Sequence, residues 1–123
     1  YNLLTNYRFT EGTLRGFSVG GYLKWQDNPV IGYYRDGNNQ PNPFDIIYGD
    51  TFLDTGLNFG YTMKIMNDKV VWNTQINIRN LLNDEDIMPR EAEQTSATDR
   101  TPYIYTYNFR APRSLILTTS FKF

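Results

Sequence analysis

The chain has 123 residues, no cysteine and no histidine, and 12 Lys and Arg against 13 Asp and Glu. That is room for one small domain, with no disulfide framework or thiolate metal site and no basic footprint for nucleic acid. Ten Tyr and eight Phe, beside ample Asn and Thr, favour strands over helices. No apolar run approaches the ~20 residues of a spanning helix. Residues 1–6 lack the charged and apolar regions of a signal peptide. They open directly on an alternating segment, so the chain is expected to begin inside a larger protein.

The first predicted strand covers residues 1–9. Tyr1, Leu3, Thr5, Tyr7 and Phe9 share one face; Asn2, Leu4, Asn6 and Arg8 share the other. A short connection with two glycines follows over 10–16, where glycine supplies turn conformations. The second strand, 17–26, alternates Phe17, Val19, Gly21, Leu23 and Trp25 with Ser18, Gly20, Tyr22, Lys24 and Gln26. Residues 27–51 are predicted as a long connection, rich in Asn and Pro at 38–43. Within it, 30–34 and 46–48 could extend the flanking strands.

The third strand, 52–65, has the cleanest pattern. Leu53, Thr55, Leu57, Phe59, Tyr61, Met63 and Ile65 alternate with Asp54, Gly56, Asn58, Gly60, Thr62 and Lys64. Residues 66–69, Met-Asn-Asp-Lys, suit a tight hairpin. The fourth strand, about 70–82, places Val70, Trp72, Thr74, Ile76 and Ile78 against Asn73, Gln75, Asn77 and Arg79. A second long, charged connection is predicted over 83–102. The last strand, 103–123, is broken near 110–113 by Pro112, which lacks a ladder donor. It ends with Leu115, Leu117, Thr119, Phe121 and Phe123 on one face.

Connections therefore run short, long, short, long. That is the rhythm of short periplasmic turns and longer extracellular loops in an up-and-down transmembrane β-barrel. With the short turns on one side, Phe9, Phe17, Tyr61, Trp72, Phe121 and Phe123 fall at one height on the apolar face. All five strands then contribute to one lipid-interface aromatic belt. No charge lies on that face between the belts, where a Lys or Arg would cost about 2–4 kcal/mol. The opposite face carries Asp54, Asn58, Lys64, Asn73, Gln75, Asn77 and Arg79. Buried in a dry core, each would need a partner; a wet or plugged lumen provides one. A soluble antiparallel sheet explains the alternation equally well, but not the belt, the terminal Phe or the connection rhythm. Five strands about 4.8 Å apart span roughly 20–25 Å and leave two edges, which lipid does not tolerate. Further strands outside this sequence are expected to complete the wall.

Three stretches carry a family resemblance. Residues 14–21 (Leu-Arg-Gly-Phe-Ser-Val-Gly-Gly) resemble the upward strand after a periplasmic turn in TonB-dependent outer-membrane receptors. Residues 75–84 (Gln-Ile-Asn-Ile-Arg-Asn-Leu-Leu-Asn-Asp) resemble the penultimate strand of that family, with Leu82 where an aromatic is usual. Residues 112–123, through Phe121 and Phe123, resemble its C-terminus, with Ile116 and Thr118 in place of the usual polar residue and Gly. The resemblance implies the last five strands of a 22-stranded barrel in a bacterial outer membrane. It further implies a plug domain outside this chain and coupling through that plug to the TonB energy complex. Recognition of the last strand by the barrel-assembly machinery also follows from it, as does uptake of a scarce ligand such as siderophore-iron or cobalamin. A passive porin-like channel or a soluble β-sheet binding module are the competing readings.

Trp25, Tyr33, Tyr34 and Arg35 are the candidates for ligand contact at the first long connection, because aromatics stack and Arg pairs with anionic chelates. No enzyme or cofactor is expected. The acidic pairs Asp84/Asp86 and Glu91/Glu93 sit in a polar stretch without a visible supporting shell. The glycines at 56 and 60 belong to a strand that no helix follows, so they form no phosphate loop.

Overall fold

In the computed structural model, which describes Tyr1–Phe123, antiparallel β-sheets take up 65% of the residues and there is no α-helix. The strands are β1 (Asn2–Arg8), β2 (Phe17–Gln26), β3 (Val30–Arg35), β4 (Pro41–Tyr48), β5 (Phe52–Ile65), β6 (Val70–Arg79), β7 (Ile87–Gln94), β8 (Pro102–Phe109) and β9 (Ser114–Lys122). The chain divides into two compact units.

The first unit comprises Tyr1–Lys24, Leu53–Asp84 and Ala111–Phe123. It holds one five-stranded sheet in the order β1-β2-β5-β6-β9. The register keeps each strand's two faces in line with its neighbour's. Phe59 opposes Ile76, which opposes Leu117; next to them Asn58 opposes Asn77, which opposes Ile116. A slip of one residue would turn each strand's apolar set to the polar side, so the alternation itself fixes the pairing. The sheet is open, and no closed barrel is present.

Two tight connections join strands at one end of this sheet. Between β1 and β2 the chain makes a single 3-10 turn at Gly12–Leu14. Gly16 then adopts a φ of 92°, donates its N–H to the Phe9 carbonyl at 3.0 Å and accepts from the Thr62 N–H at 2.9 Å. A Cβ here would collide with the Thr62 carbonyl, so conformation and space both demand glycine. Between β5 and β6, Met66, Asn67 and Asp68 all take left-handed backbone angles, the region in which Asn and Asp are enriched.

The second unit comprises Trp25–Phe52 and Glu85–Arg110. It contains two hairpins, β3-β4 and β7-β8. Its core is small: Ile31, Ile47 and Ala92 are buried, with Tyr34 and Ile104 packed against them. Gly32 passes so near Ala92 that a side chain would meet its carbonyl. Gln94 is fully buried. Its Oε1 accepts from the Arg35 N–H at 2.7 Å, its carbonyl accepts from Arg35 Nε, and its Nε2 donates to the Ser96 carbonyl.

Three predicted boundaries require correction. The long connections 27–51 and 83–102 contain strands: β3 and β4 lie in the first and pair with each other instead of extending the flanking strands, and β7 lies in the second. Residues 102–109 are not the upper part of the last strand: β8 pairs with β7, and the ladder to β6 begins only at Ser114. The fourth strand stops at Arg79 rather than near 82, because Asn80 and Asn83 leave the β region with φ of 49° and 55°. The Asn80 side chain then donates to the carbonyls of Asp84 and Ala111, both at 2.8 Å, and ties that turn to the start of the final segment.

Replacing Gln94 by Ala strands the buried Arg35 N–H, at about 1–3 kcal/mol. Hydrogen exchange will then accelerate at Arg35 and across β3 and β7, while amides of the five-stranded sheet keep their protection.

Candidate functional site

The polar face of the five-stranded sheet gathers Asp54, Asn58 and Lys64 from β5 and Asn73, Gln75, Asn77 and Arg79 from β6. Register places Asn58 opposite Asn77, Gly60 opposite Gln75, and Gly56 opposite Arg79. Thr62 Oγ1 donates to Asn73 Oδ1 at 3.2 Å. Tyr22 lies across Gly56, where any side chain would strike its ring. Gly60 leaves a shallow depression of about 330 Å³, rimmed by Asn6, Arg8, Ser18, Asn58, Gln75 and Asn77. Amide side chains both donate and accept, so this rim suits hydroxyl-bearing or peptide groups better than a simple ion. Lys64 lies apart from it, at the turn end of β5.

The apolar face carries a continuous aromatic row. Phe17 meets Tyr61 at 4.4 Å between ring centres. Tyr61 meets Trp72 edge-on at 6.3 Å, and Trp72 stacks on Phe121 at 6.4 Å with 10° between the planes. One ring comes from each of β2, β5, β6 and β9. Trp72 Nε1 donates to Thr119 Oγ1 at 2.8 Å, so the indole N–H is satisfied without leaving the face. Phe9 packs instead on Tyr7 at 4.9 Å. Phe123 lies just past the end of β9 and is exposed.

The chain matches no family model, no curated protein and no solved structure.

In the hairpin unit, Tyr33 is exposed while Tyr34 packs on the small core. Arg100 lays its guanidinium 4.3 Å from the centre of the Tyr34 ring and forks onto both oxygens of Asp45, at 3.0 and 3.2 Å. That hydrogen-bonded carboxylate raises the Arg100 pKa. Arg35 is engaged within the hairpins. Nε donates to the Gln94 carbonyl, Nη1 donates to the Asn39 carbonyl at 2.8 Å, and Nη2 lies 3.9 Å from Glu93. Its charge is matched internally, so Arg35 is a structural tie rather than a cation open to an anionic chelate. Trp25 is half-buried at the end of β2.

The sequence reading places 103–109 in a strand but does not single out the aromatic side of β8. Tyr103, Tyr105, Tyr107 and Phe109 are all exposed on one side of it, while Ile104 packs towards the core. The signal was present as aromatics at every second position, but the segment was assigned to the last strand. Gln94 and Arg100 gave no local signal, because their partners lie 59 and 55 positions away.

In a double-mutant cycle of Trp72→Ala and Phe121→Ala, the ring pair is expected to contribute about 0.5–1.5 kcal/mol of coupling beyond burial. Urea unfolding of the purified protein measures it, and a coupling of zero would make the row a coincidence of register.

Proposed function

We propose that this chain forms part of the wall of a bacterial outer-membrane β-barrel receptor of the TonB-dependent kind. Such a receptor takes up a scarce ligand, such as an iron–siderophore or cobalamin, with energy delivered from the inner membrane. The observation that carries the membrane reading is the uncovered apolar stripe. Ile76 remains 36% exposed, Phe121 54% and Leu117 64%. Phe17, Tyr61, Trp72 and Phe121 cross the same face as one row. Acyl chains suit such a stripe, and ring tips of Tyr and Trp suit the headgroup level.

The polar face, on this reading, lines the lumen and meets a plug. β1 and β9 are the edges of the sheet, and lipid requires both to be paired. The strands alternate in direction, so β1 and β9 run parallel. Additional strands between them fit closure better than direct pairing, because antiparallel neighbours are the rule in such barrels. In chain order the two hairpins fall between β2 and β5 and between β6 and β9, the connections that on this reading are extracellular. Energy-coupled uptake is the further step taken from the family resemblance of residues 14–21, 75–84 and 112–123.

The two faces will respond oppositely to charge. Ile76→Arg or Leu117→Arg is expected to destabilise folding into a bilayer by about 2–4 kcal/mol, whereas Gln75→Arg on the polar face changes it little. Equal tolerance at all three positions would remove the lipid contact. Reconstitution of the complete receptor tests the rest: uptake should require the energy-coupling complex, and conductance without it would assign a passive channel.

A further inference from the structure

A second cavity, about 620 Å³, lies at the end of the sheet that carries the tight turns. Three cations line it: Arg8 from the end of β1, Arg15 from the turn, and Lys64 near the end of β5. Asp68 is the one carboxylate on its wall. None of the three cations forms an ion pair within the molecule. Their placement is fixed by the backbone. Gly16, next to Arg15, is held by hydrogen bonds to Phe9 and Thr62, and its carbonyl contact brings the turn against β5 two residues from Lys64. Like charges gathered in this way repel, and they favour an anion that brings several acceptor oxygens.

The rest of the lining is apolar. Phe9, Tyr61 and Met63 also border the cavity, and by parity they belong to the lipid-side face, where Tyr61 joins the aromatic row. The cavity therefore straddles the border between the two faces of the sheet. A ligand that fills it must carry a strong anion directly beside an apolar chain.

Resting on the membrane reading above, we propose that this cavity seats the phosphate of an anionic phospholipid, with acyl carbons against Phe9, Tyr61 and Met63. The phosphate accepts from Arg8, Arg15 and Lys64, and Thr10 offers a hydroxyl beside it. The lipid comes from the leaflet on the tight-turn side. This gives the barrel a fixed contact with its membrane at a defined height.

The protein is reconstituted in bilayers of phosphatidylcholine with or without phosphatidylglycerol, and co-purifying lipid is counted by native mass spectrometry. Phosphatidylglycerol should be retained over phosphatidylcholine. Arg8→Ala, Arg15→Ala and Lys64→Ala should each weaken retention roughly five-fold, the effect of one cation near an anionic surface. Asp68→Asn should strengthen it. That variant keeps the turn, since Asp68 has a φ of 65° and Asn adopts left-handed backbone readily. Unchanged retention in the cation variants and in Asp68→Asn overturns the site. Complete displacement of the lipid by inorganic phosphate would overturn the lipid assignment and leave a free-anion site. Insertion without any phosphatidylglycerol preference defeats the lipid site alone; a protein that never enters the bilayer defeats the membrane reading with it.

Discussion

A β-sheet presents two faces, and each must touch something that suits it. In the five-stranded sheet the ladders satisfy the inner backbone groups, which leaves side chains to decide the surroundings. Burying one Leu, Ile or Phe side chain is worth about 1.5–3 kcal/mol. Ile76, Leu115, Leu117 and Phe121 stay largely outside any protein core, so that stabilisation must come from a medium or partner. The other face, with amides opposite amides at Asn58 and Asn77, needs water or hydrogen-bonding groups. A lipid-facing wall with a wet lumen meets both demands at once.

The same constraint explains the placement of small residues. Gly20 and Gly60 lie on the polar face where the neighbouring Asn58 and Ser18 side chains occupy the space a Cβ would need. Polar side chains therefore lie flat along the sheet instead of standing off it. Gly56 does the same for Tyr22. The face is thereby kept low in relief but rich in donors and acceptors. On the proposed reading, a plug or a passing ligand would meet a polar surface with few protruding side chains.

The alternation in β5 was legible because every second residue over 14 positions commits to one of two chemically different faces. Period two is then the whole message, and the antiparallel all-β class follows from it. The hairpins were not legible for an equally physical reason. β4 and β8 both begin with proline, β7 contains Pro89, and the β3-β4 and β7-β8 ladders are irregular. Those features read as loop chemistry. What folds them is a core of three buried side chains from distant segments, and no local window contains it. The contacts of Arg35 were hidden for the same reason. Its neighbours in sequence include two tyrosines, which resemble a binding patch, but its partners Gln94 and Glu93 come from the other hairpin.

That internal matching changes what the hairpin unit can offer a ligand. Arg35 and Arg100 are held by named acceptors, and Tyr34 is pinned beneath the Arg100 guanidinium. Groups so constrained contribute rigidity rather than contact. The surface left for recognition is aromatic: Tyr33 on β3, and Tyr103, Tyr105 and Tyr107 along β8. Tyrosines on a paired strand lose less freedom on binding than side chains on an unstructured loop, so less of the contact energy is spent on ordering. On the proposed reading, recognition at these hairpins would therefore draw on stacking and hydroxyl hydrogen bonds along β8 more than on ion pairing at Arg35.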